Sequence, residues 1–343
     1  MMFKTKATAL TAKGLLAAGV IAAGLTAAGL AVSQPALAAG GGAAIPRQEW
    51  TFDGPRGQFD RAQLQRGFQI YKEVCSSCHG LERLSWRNLV EQGGPGFPEE
   101  AVKALAKEWP NKITDGPNDE GEMFERDALL SDRIMGPYKN EKAARAAQNG
   151  AYPPDLSLMA RARNPEYKGT AAAHGPHMLR DILSGYQAGG PDYLYALLTG
   201  YKDLPAYVRE ENGHLKPVGP DGAGDKPVEN CASVVPGEDG KPDECVALAD
   251  GMNYNAAFPG NQIAMPPILA DGSVSYPKGA DGQPLVPETL DQHARDVSAF
   301  LAWAADPHLD QRKATGWQAL LYLLITTVLL FLGKKRIWSR IDH

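Results

Sequence analysis

The sequence predicts a mainly α domain with long irregular insertions, followed by one membrane-spanning helix. Three observations carry this reading. Leu64, Phe68 and Tyr71 recur at the spacing of one helical face and run directly into Cys75-Ser76-Ser77-Cys78-His79. The 37 glycines and 26 prolines demand long non-repetitive segments. Ala314 to Gly333 is a stretch of twenty residues without a charge. With 43% hydrophobic and 22% charged residues, the chain is not wholly disordered.

Residues 1–38 carry Lys4, Lys6 and Lys13, no acid, a long Ala/Gly/Leu/Val run and a terminal Ala36-Leu37-Ala38. These are the three regions of a bacterial secretory signal peptide, removed on export. Residues 39–313 are then the exported domain. A helix is expected over Gln58 to Glu73, ending at the cysteine box, and a further helical stretch near Leu81 to Val90. Gly93 to Pro98 breaks it, and Glu99 to Lys107 reads as helix with Ala101, Val102 and Leu105 on one side. Thr114 to Glu122 reads as loop, and Asp127 to Ile134 and Asn140 to Gln148 as short helices or irregular chain. Pro153-Pro154 is a rigid turn before a short helix, Asp155 to Ala162. After Gly189-Gly190-Pro191 a helix is expected over Tyr193 to Thr199. Tyr207 to Pro242 is turn-rich, with only short strands, inside an insertion of about 208–250, and Asp271 to Pro287 is a second excursion. Pro287 starts a helix with Glu288 in its first turn, running to Ala304.

At 1.5 Å per residue, residues 314–333 span roughly 30 Å, enough for a hydrocarbon core. Trp317, Tyr322 and Trp338 stand near its edges, and Lys334, Lys335 and Arg336 follow at once. The basic cluster places residues 334–343 in the cytoplasm and the domain on the periplasmic side of the inner membrane. With no ionisable group inside it, the span is an anchor in membrane lipid and not a proton path.

The cysteine box carries the chemistry. Two thiols at this spacing add to the two vinyl groups of one haem, and the next residue sets an imidazole beside the iron. Thiol exchange also uses two such cysteines, and zinc would need two further ligands. Export, the following histidine and the single box favour one covalent haem c held by Cys75 and Cys78, with His79 on the metal. In an oxidising compartment Cys231 and Cys245 read as a disulfide, with free thiols the alternative. The sixth iron position has several candidates: Met123, Met135, Met159, Met178, Met265, His174, His177, His293 and His308. Met265 is distinct because Pro266 and Pro267 hold it on a stiff, extended loop.

The sequence resembles the cytochrome c1 family, the membrane-anchored haem subunit of the cytochrome bc1 complex, in its bacterial branch. The resemblance covers most of the chain after residue 38. It rests on Arg66-Gly67, Tyr71, the cysteine box, Asn149-Gly150-Ala151 with Pro153-Pro154-Asp155-Leu156-Ser157, Arg161-Ala162-Arg163, Gly189-Gly190-Pro191-Asp192-Tyr193, Leu197-Leu198-Thr199-Gly200-Tyr201, Phe258-Pro259-Gly260 and Ile263-Ala264-Met265-Pro266-Pro267. It implies a class I cytochrome c-like haem domain with His79 proximal and Met265 distal to the iron. It also implies that Arg163 and Tyr193 lie near a haem propionate and that Pro154 lines the haem crevice. Bacterial members often carry a disulfide-closed insertion before the methionine loop, as Cys231 and Cys245 would form. Many members have an alanine between the methionine and the two prolines; this chain passes straight to Pro266.

The implied function is electron transfer within the ubiquinol–cytochrome c oxidoreductase. The Rieske iron–sulfur protein donates, cytochrome b is the neighbour in a dimeric complex, and a basic soluble c-type cytochrome accepts. The alternatives are a haem c subunit of another membrane redox complex, or a membrane-tethered haem sensor or assembly protein. No pair of acid and base poised for catalysis is apparent, so enzyme activity belongs to an assembly and not to this chain alone. Residues 39–333 hold 28 bases and 39 acids, a net of −11. That balance opposes nucleic-acid binding and suits a basic partner. The acids of the run from Glu99 through Glu100, Asp115, Asp119, Glu120, Glu122 and Glu125 to Asp127 are the expected docking face.

Overall fold

The structure, a computed structural model, describes residues 45–339 except 164–174, 177, 182–187, 220–221, 225, 238–239 and 281. The expected signal peptide at 1–38 and the candidates His174 and His177 lie outside the described residues. Helix α1 (Arg61–Glu73) begins where the Asp60 carboxylate accepts from the amides of Ala62 and Gln63. The chain then makes a 3-10 turn, Cys75–Ser77, and strand β1 (Leu81–Ser85), which runs into a second 3-10 turn, Trp86–Leu89. Helix α2 (Glu99–Glu108) is followed by a hairpin of β2 (Ile113–Asp115) and β3 (Phe124–Arg126). Strand β4 (Arg133–Ile134) pairs antiparallel with β1, and helices α3 (Glu141–Ala147) and α4 (Met159–Ala162) follow. Helix α5 (Gly189–Thr199) leads into the insertion.

In the insertion, β5 (Ala206–Arg209) lies between β6 (Leu215–Pro217) and β7 (Val228–Asn230), and β8 (Ser233–Pro236) pairs with β9 (Pro242–Val246). Cys231 and Cys245 are bonded across it, with Cα atoms 5.3 Å apart. Strands β10 (Asn253–Tyr254) and β11 (Gln262–Ile263) form a two-residue ladder just before Met265. Helix α6 (Leu290–Ala305) closes the domain and α7 (Leu309–Trp338) leaves it.

The core is organised by the crossing of α1 and α6. Gly67 lets the backbones touch: a Cβ there would stand 2.2 Å from the Asp296 carbonyl oxygen and 2.5 Å from Phe300 Cβ. Phe68 meets Phe300 edge-on at 5.6 Å, and Tyr71 stacks on Trp109 at 6.4 Å. Each such buried side chain contributes about 2 kcal/mol over its exposed state. Asp296, fully buried at the same crossing, accepts from Arg66 Nε at 2.7 Å, Arg66 Nη2 at 3.0 Å, the Tyr276 hydroxyl at 2.8 Å and Gln292 Nε2 at 2.9 Å. Every charge-bearing oxygen is therefore paired, as a buried carboxylate requires.

The mainly α reading holds for the haem-box helix and for α2, α5 and α6, and four local expectations change. Leu81 to Ser85 is a strand, not helix. Its amides are drawn outward: Glu82 N–H donates to Asp155 Oδ2 at 2.7 Å and Arg83 N–H to Ser157 Oγ at 3.0 Å. Thr114 to Glu122, read as loop, belongs to a hairpin: Thr114 and Asp115 lie in β2, and 116–122 connect it towards β3. Helix α5 begins at Gly189 rather than Tyr193, because Pro191 needs no amide partner in a first turn. Gly190 there admits the Ala160 carbonyl oxygen to 1.6 Å of where a Cβ would be. Helix α6 begins at Leu290, capped by Thr289, while Glu288 turns back to accept from Tyr276 N–H at 2.7 Å.

Among the described residues one helix, α7, is long and apolar enough to cross a membrane. Its thirty residues extend about 45 Å, and the expected span of 314–333 lies within it. Loop residues hold its first turns: Lys313 Nζ donates to the Phe52 and Gly57 carbonyls at 2.6 and 3.2 Å, and Trp317 Nε1 to the Pro55 carbonyl at 3.2 Å.

Candidate haem site

Helix α1 delivers the chain to the 3-10 turn, where the amides of Cys78 and His79 both donate to the Cys75 carbonyl, at 3.1 and 2.9 Å. That turn sets two thiols and an imidazole on one short loop. Cys75 and Cys78 are both free. Burial, and secondarily Cys78, pushes the Cys75 thiol up to about 12. A thiol so held is a poor thiolate, which disfavours Cys75 as the nucleophile of exchange chemistry. Among the described residues no three of His, Cys, Asp and Glu gather to hold a metal ion.

His79 is buried and its ring is oriented. Nδ1 lies 2.7 Å from the Pro154 carbonyl oxygen. A carbonyl can only accept, so Nδ1 carries the hydrogen and Nε2 keeps its lone pair. Burial lowers the proton affinity of this imidazole, with the Pro154 bond and Asp155 opposing in part. The neutral ring that results is the form that ligates iron. Two anchors fix the backbone around it: the Tyr71 hydroxyl donates to the His79 carbonyl at 3.0 Å, and Leu156 N–H to the Gly80 carbonyl at 3.0 Å. Beside Cys78 a groove is lined by Gly80, Glu82, Tyr138, Lys139, Tyr152 and Asp155. Gln148 Nε2 reaches both Cys78 Sγ at 3.5 Å and the Tyr138 hydroxyl at 2.6 Å. A ring nitrogen left with its lone pair, on the same short loop as two unbridged thiols, fits a covalently attached haem.

Met265 follows β11 on the proline-stiffened loop and is half-buried. Its carbonyl accepts from the Tyr201 hydroxyl at 2.9 Å, with Asn253 Nδ2 at 3.5 Å. The turn before it is set by Gly260 and Asn261, at φ 77° and 60°. Asn261 is one of the few residue types that tolerate this left-handed conformation. Its Nδ2 spans the turn to the Asn255 and Ala256 carbonyls, at 3.3 and 3.2 Å.

The other predicted residues fall between these two loops. Pro154 supplies the His79 acceptor. Arg163 ends α4 and is exposed, close enough to Tyr193 for its charge to oppose the rise that burial gives that phenol. Tyr193 in turn interacts with Tyr201, whose own phenol burial holds protonated. Through Gly190 the first turn of α5 sits on α4. A contiguous path thus runs from His79 through Pro154 and α4 to Tyr193, Tyr201 and Met265. Among the described residues, some rival sixth-position candidates are engaged elsewhere and others lie at the surface. His293 is fully buried with Nδ1 3.3 Å from Ser273 Oγ and Nε2 3.1 Å from the Val274 carbonyl. His308, Met123 and Met178 are exposed, Met159 packs on the core, and Met135 uses its carbonyl to hold Trp109 and Asn111. Tyr201, Asn255 and Asn261 were not singled out from sequence. Pro259-Gly260-Asn261 is a turn signal that could have found the last; a buried asparagine such as Asn255 leaves no local pattern.

A helix running into two free thiols and a lone-pair-bearing imidazole is the attachment frame of a c-type cytochrome. The model of the Cytochrome C1 family matches residues 50–341. The chain is 40% identical to cytochrome c1 of Blastochloris viridis over 90% of this chain and 91% of that protein. It is 38% identical to cytochrome c1 of Rhodospirillum rubrum over 91% and 94%. Against the cytochrome b/c1 of Bradyrhizobium diazoefficiens it is 39% identical over 89% of this chain, and spans only 37% of that longer protein. The chain belongs to the cytochrome C1 family, the haem-bearing subunit of the bc1 complex, and the cofactor this family implies is covalent haem c.

Proposed function

We propose that this chain is the electron-transfer subunit between the Rieske iron–sulfur protein and a soluble c-type cytochrome, anchored beside cytochrome b in a dimeric complex. Haem c, when bound, supplies a one-electron ferric–ferrous couple. Cys75 and Cys78 hold it by thioether bonds, His79 Nε2 and Met265 Sδ ligate its iron, and Arg163 and Tyr193 attend a propionate. The observation that carries this reading is the 2.7 Å bond from His79 Nδ1 to Pro154, which leaves the other nitrogen with its lone pair, as a metal ligand needs. The same bond raises the basicity of the ligand. A Met265 thioether ligand would favour the ferrous state and a high potential, suited to accepting from one carrier and donating to another. The Pro154 bond fixes the angle of the ring, which limits how far this side chain reorganises as the electron passes. Residues 1–38 direct export and are removed, 39–313 form the periplasmic domain, 314–333 cross the inner membrane and 334–343 stay cytoplasmic. Family membership favours this role over an assembly factor or a sensor, since a sensor needs an open iron position.

Replacing Met265 tests it. Met265→Leu in the assembled complex is expected to keep its covalent haem, to lose the weak far-red sulfur-to-iron band of the oxidised protein, and to lower the reduction potential. Turnover of quinol with soluble cytochrome should fall in step. An unchanged band would remove Met265 from the iron.

A further inference from the structure

The stiffness of the methionine loop raises a physical problem that the sequence does not solve. Pro266 and Pro267 have no amide hydrogens, so the chain directly after Met265 cannot be tied down by its own donors. Restraint has to arrive at the Met265 carbonyl and at the turn upstream. Two residues outside the motif supply it. The Tyr201 hydroxyl donates to the Met265 carbonyl at 2.9 Å. Asn255, with no exposed surface, is a hub. Its Nδ2 donates to the Leu197 carbonyl at 2.7 Å, its Oδ1 accepts from the amides of Ala257 and Phe258 at 3.0 and 3.2 Å, and its own amide donates to the Asn261 carbonyl at 3.0 Å.

The geometry around this hub is tight. Tyr201 and Asn255 form an antiparallel bridge, and Ala256 N–H donates to the Gly200 carbonyl at 2.9 Å. A Cβ on Gly200 would lie 2.8 Å from Asn255 Oδ1, so the side chain amide occupies the space that glycine leaves. The Leu197 carbonyl, one of the last in α5, already accepts from Gly200 N–H at 3.3 Å, and Asn255 Nδ2 adds a second, shorter bond to it. The rigid helix α5 thereby holds the whole loop from Asn255 to Met265, at one end through a carboxamide and at the other through a phenol.

We infer that Tyr201 and Asn255 are positioning residues that hold the Met265 thioether at its ligand distance, coupling the methionine loop to the C-terminal end of α5. The inference rests on the reading of Met265 as an iron ligand. Neither side chain is assigned to touch the iron. They act through the backbone: with the carbonyl released, the half-buried methionine side chain gains freedom while His79 and the thioether links stay as they are.

The test uses the purified, haem-loaded complex and four chains: parent, Met265→Leu, Tyr201→Phe and Asn255→Asp. Tyr201→Phe removes only a hydroxyl, and Asn255→Asp keeps the Oδ1 acceptor while losing the Nδ2 donor. Readouts are haem content, the far-red band of the ferric protein, and carbon monoxide binding to the ferrous protein, which reports a vacated sixth position. One lost hydrogen bond shifts the bound-to-released ratio by up to about tenfold. Both positioning variants are therefore expected to keep full haem content, weaken the band and bind carbon monoxide up to about tenfold more readily than the parent, short of Met265→Leu. If Met265→Leu removes the band but Tyr201→Phe and Asn255→Asp match the parent in band and carbon monoxide response, the positioning role is overturned while the ligation stands. If Met265→Leu itself leaves the band unchanged, the ligation reading fails and this inference falls with it. Should Asn255→Asp not assemble, Tyr201→Phe alone decides between these outcomes.

Discussion

Gly67 shows how much one missing atom can carry. Changing a helical glycine to alanine ordinarily gains about 0.5–1 kcal/mol from reduced backbone freedom. At Gly67 the new Cβ would meet Asp296 O at 2.2 Å and Phe300 Cβ at 2.5 Å, and overpacking of this kind costs about 1–3 kcal/mol. Gly67→Ala should therefore lower the melting temperature of the purified protein. Gly316→Ala, on α7 with no atom within 4 Å of its Cβ position, should leave it unchanged or raise it slightly. A Gly67→Ala protein as stable as the parent would mean that α1 and α6 separate without cost. At this scale the sequence is legible where chemistry is local. The cysteine box, His79 and the proline-flanked Met265 announce themselves by neighbours in the chain. The acceptor at Pro154, the hydroxyl of Tyr201 and the carboxamide of Asn255 are separated from their targets by 75, 64 and 58 positions, and no spacing rule reaches that far.

At the scale of elements, helices with a periodic apolar face were readable, and segments whose amides bond to distant side chains were not. Leu81 to Ser85 carries helix-compatible residues, yet Asp155 and Ser157 claim its donors and β4 its edge. The insertion is the reverse case: turn-rich sequence predicted short strands, and short strands formed. Its function is expected to be mechanical. Gln262 in β11 accepts from the Ala249 amide at 2.8 Å and donates to the Ala247 carbonyl at 3.2 Å, so the chain just after β9, the strand that holds Cys245, is tied to the loop that presents Met265. Closing the fourteen-residue separation of Cys231 and Cys245 is worth roughly 3 kcal/mol in the chain-entropy model. The double Cys231→Ser, Cys245→Ser variant should keep its haem but lose the far-red band on mild heating, at a lower temperature than the parent. Gln262→Ala should show the same loss in smaller measure with the disulfide intact. If the double variant holds its band and potential through the heat ramp, the bridge staples the insertion alone.

Across the whole molecule the charge balance is the property with the longest reach, and the structure redistributes it. Residues 39–333 carry eleven more acids than bases, and the run from Glu99 to Asp127 is the expected docking face. Five of the eight acids named for that face are locally paired: Glu99 and Glu100 with Lys103, Asp115 with Arg126, Glu125 with Lys139, and Asp127 with Lys112. Exposed pairs of this kind add little stability, and at a distance they cancel in part, since Glu99 and Glu100 share one lysine and Arg126 also pairs with Asp132. The other three, Asp119, Glu120 and Glu122, are exposed together between β2 and β3. The base of that hairpin is fastened through Glu125 to Lys139, which lines the groove beside Cys78. Three acids without an ion pair among the described residues, on an arm fastened to the groove beside Cys78, are placed to steer a basic cytochrome, raising its association rate more than its final affinity. The variant to make is Asp119→Asn, Glu120→Gln, Glu122→Gln, leaving Glu125 in place, since removing it would bare Lys139 and confound the sign. Reduction of a basic soluble cytochrome by the parent complex should slow steeply between 0.01 and 0.15 M salt, where the Debye length falls from roughly 30 to 8 Å. The triple variant should start slower and respond less. A parent rate insensitive to salt would eliminate steering, and an undiminished slope in the variant would move the steering charge off this hairpin and onto another face of the domain.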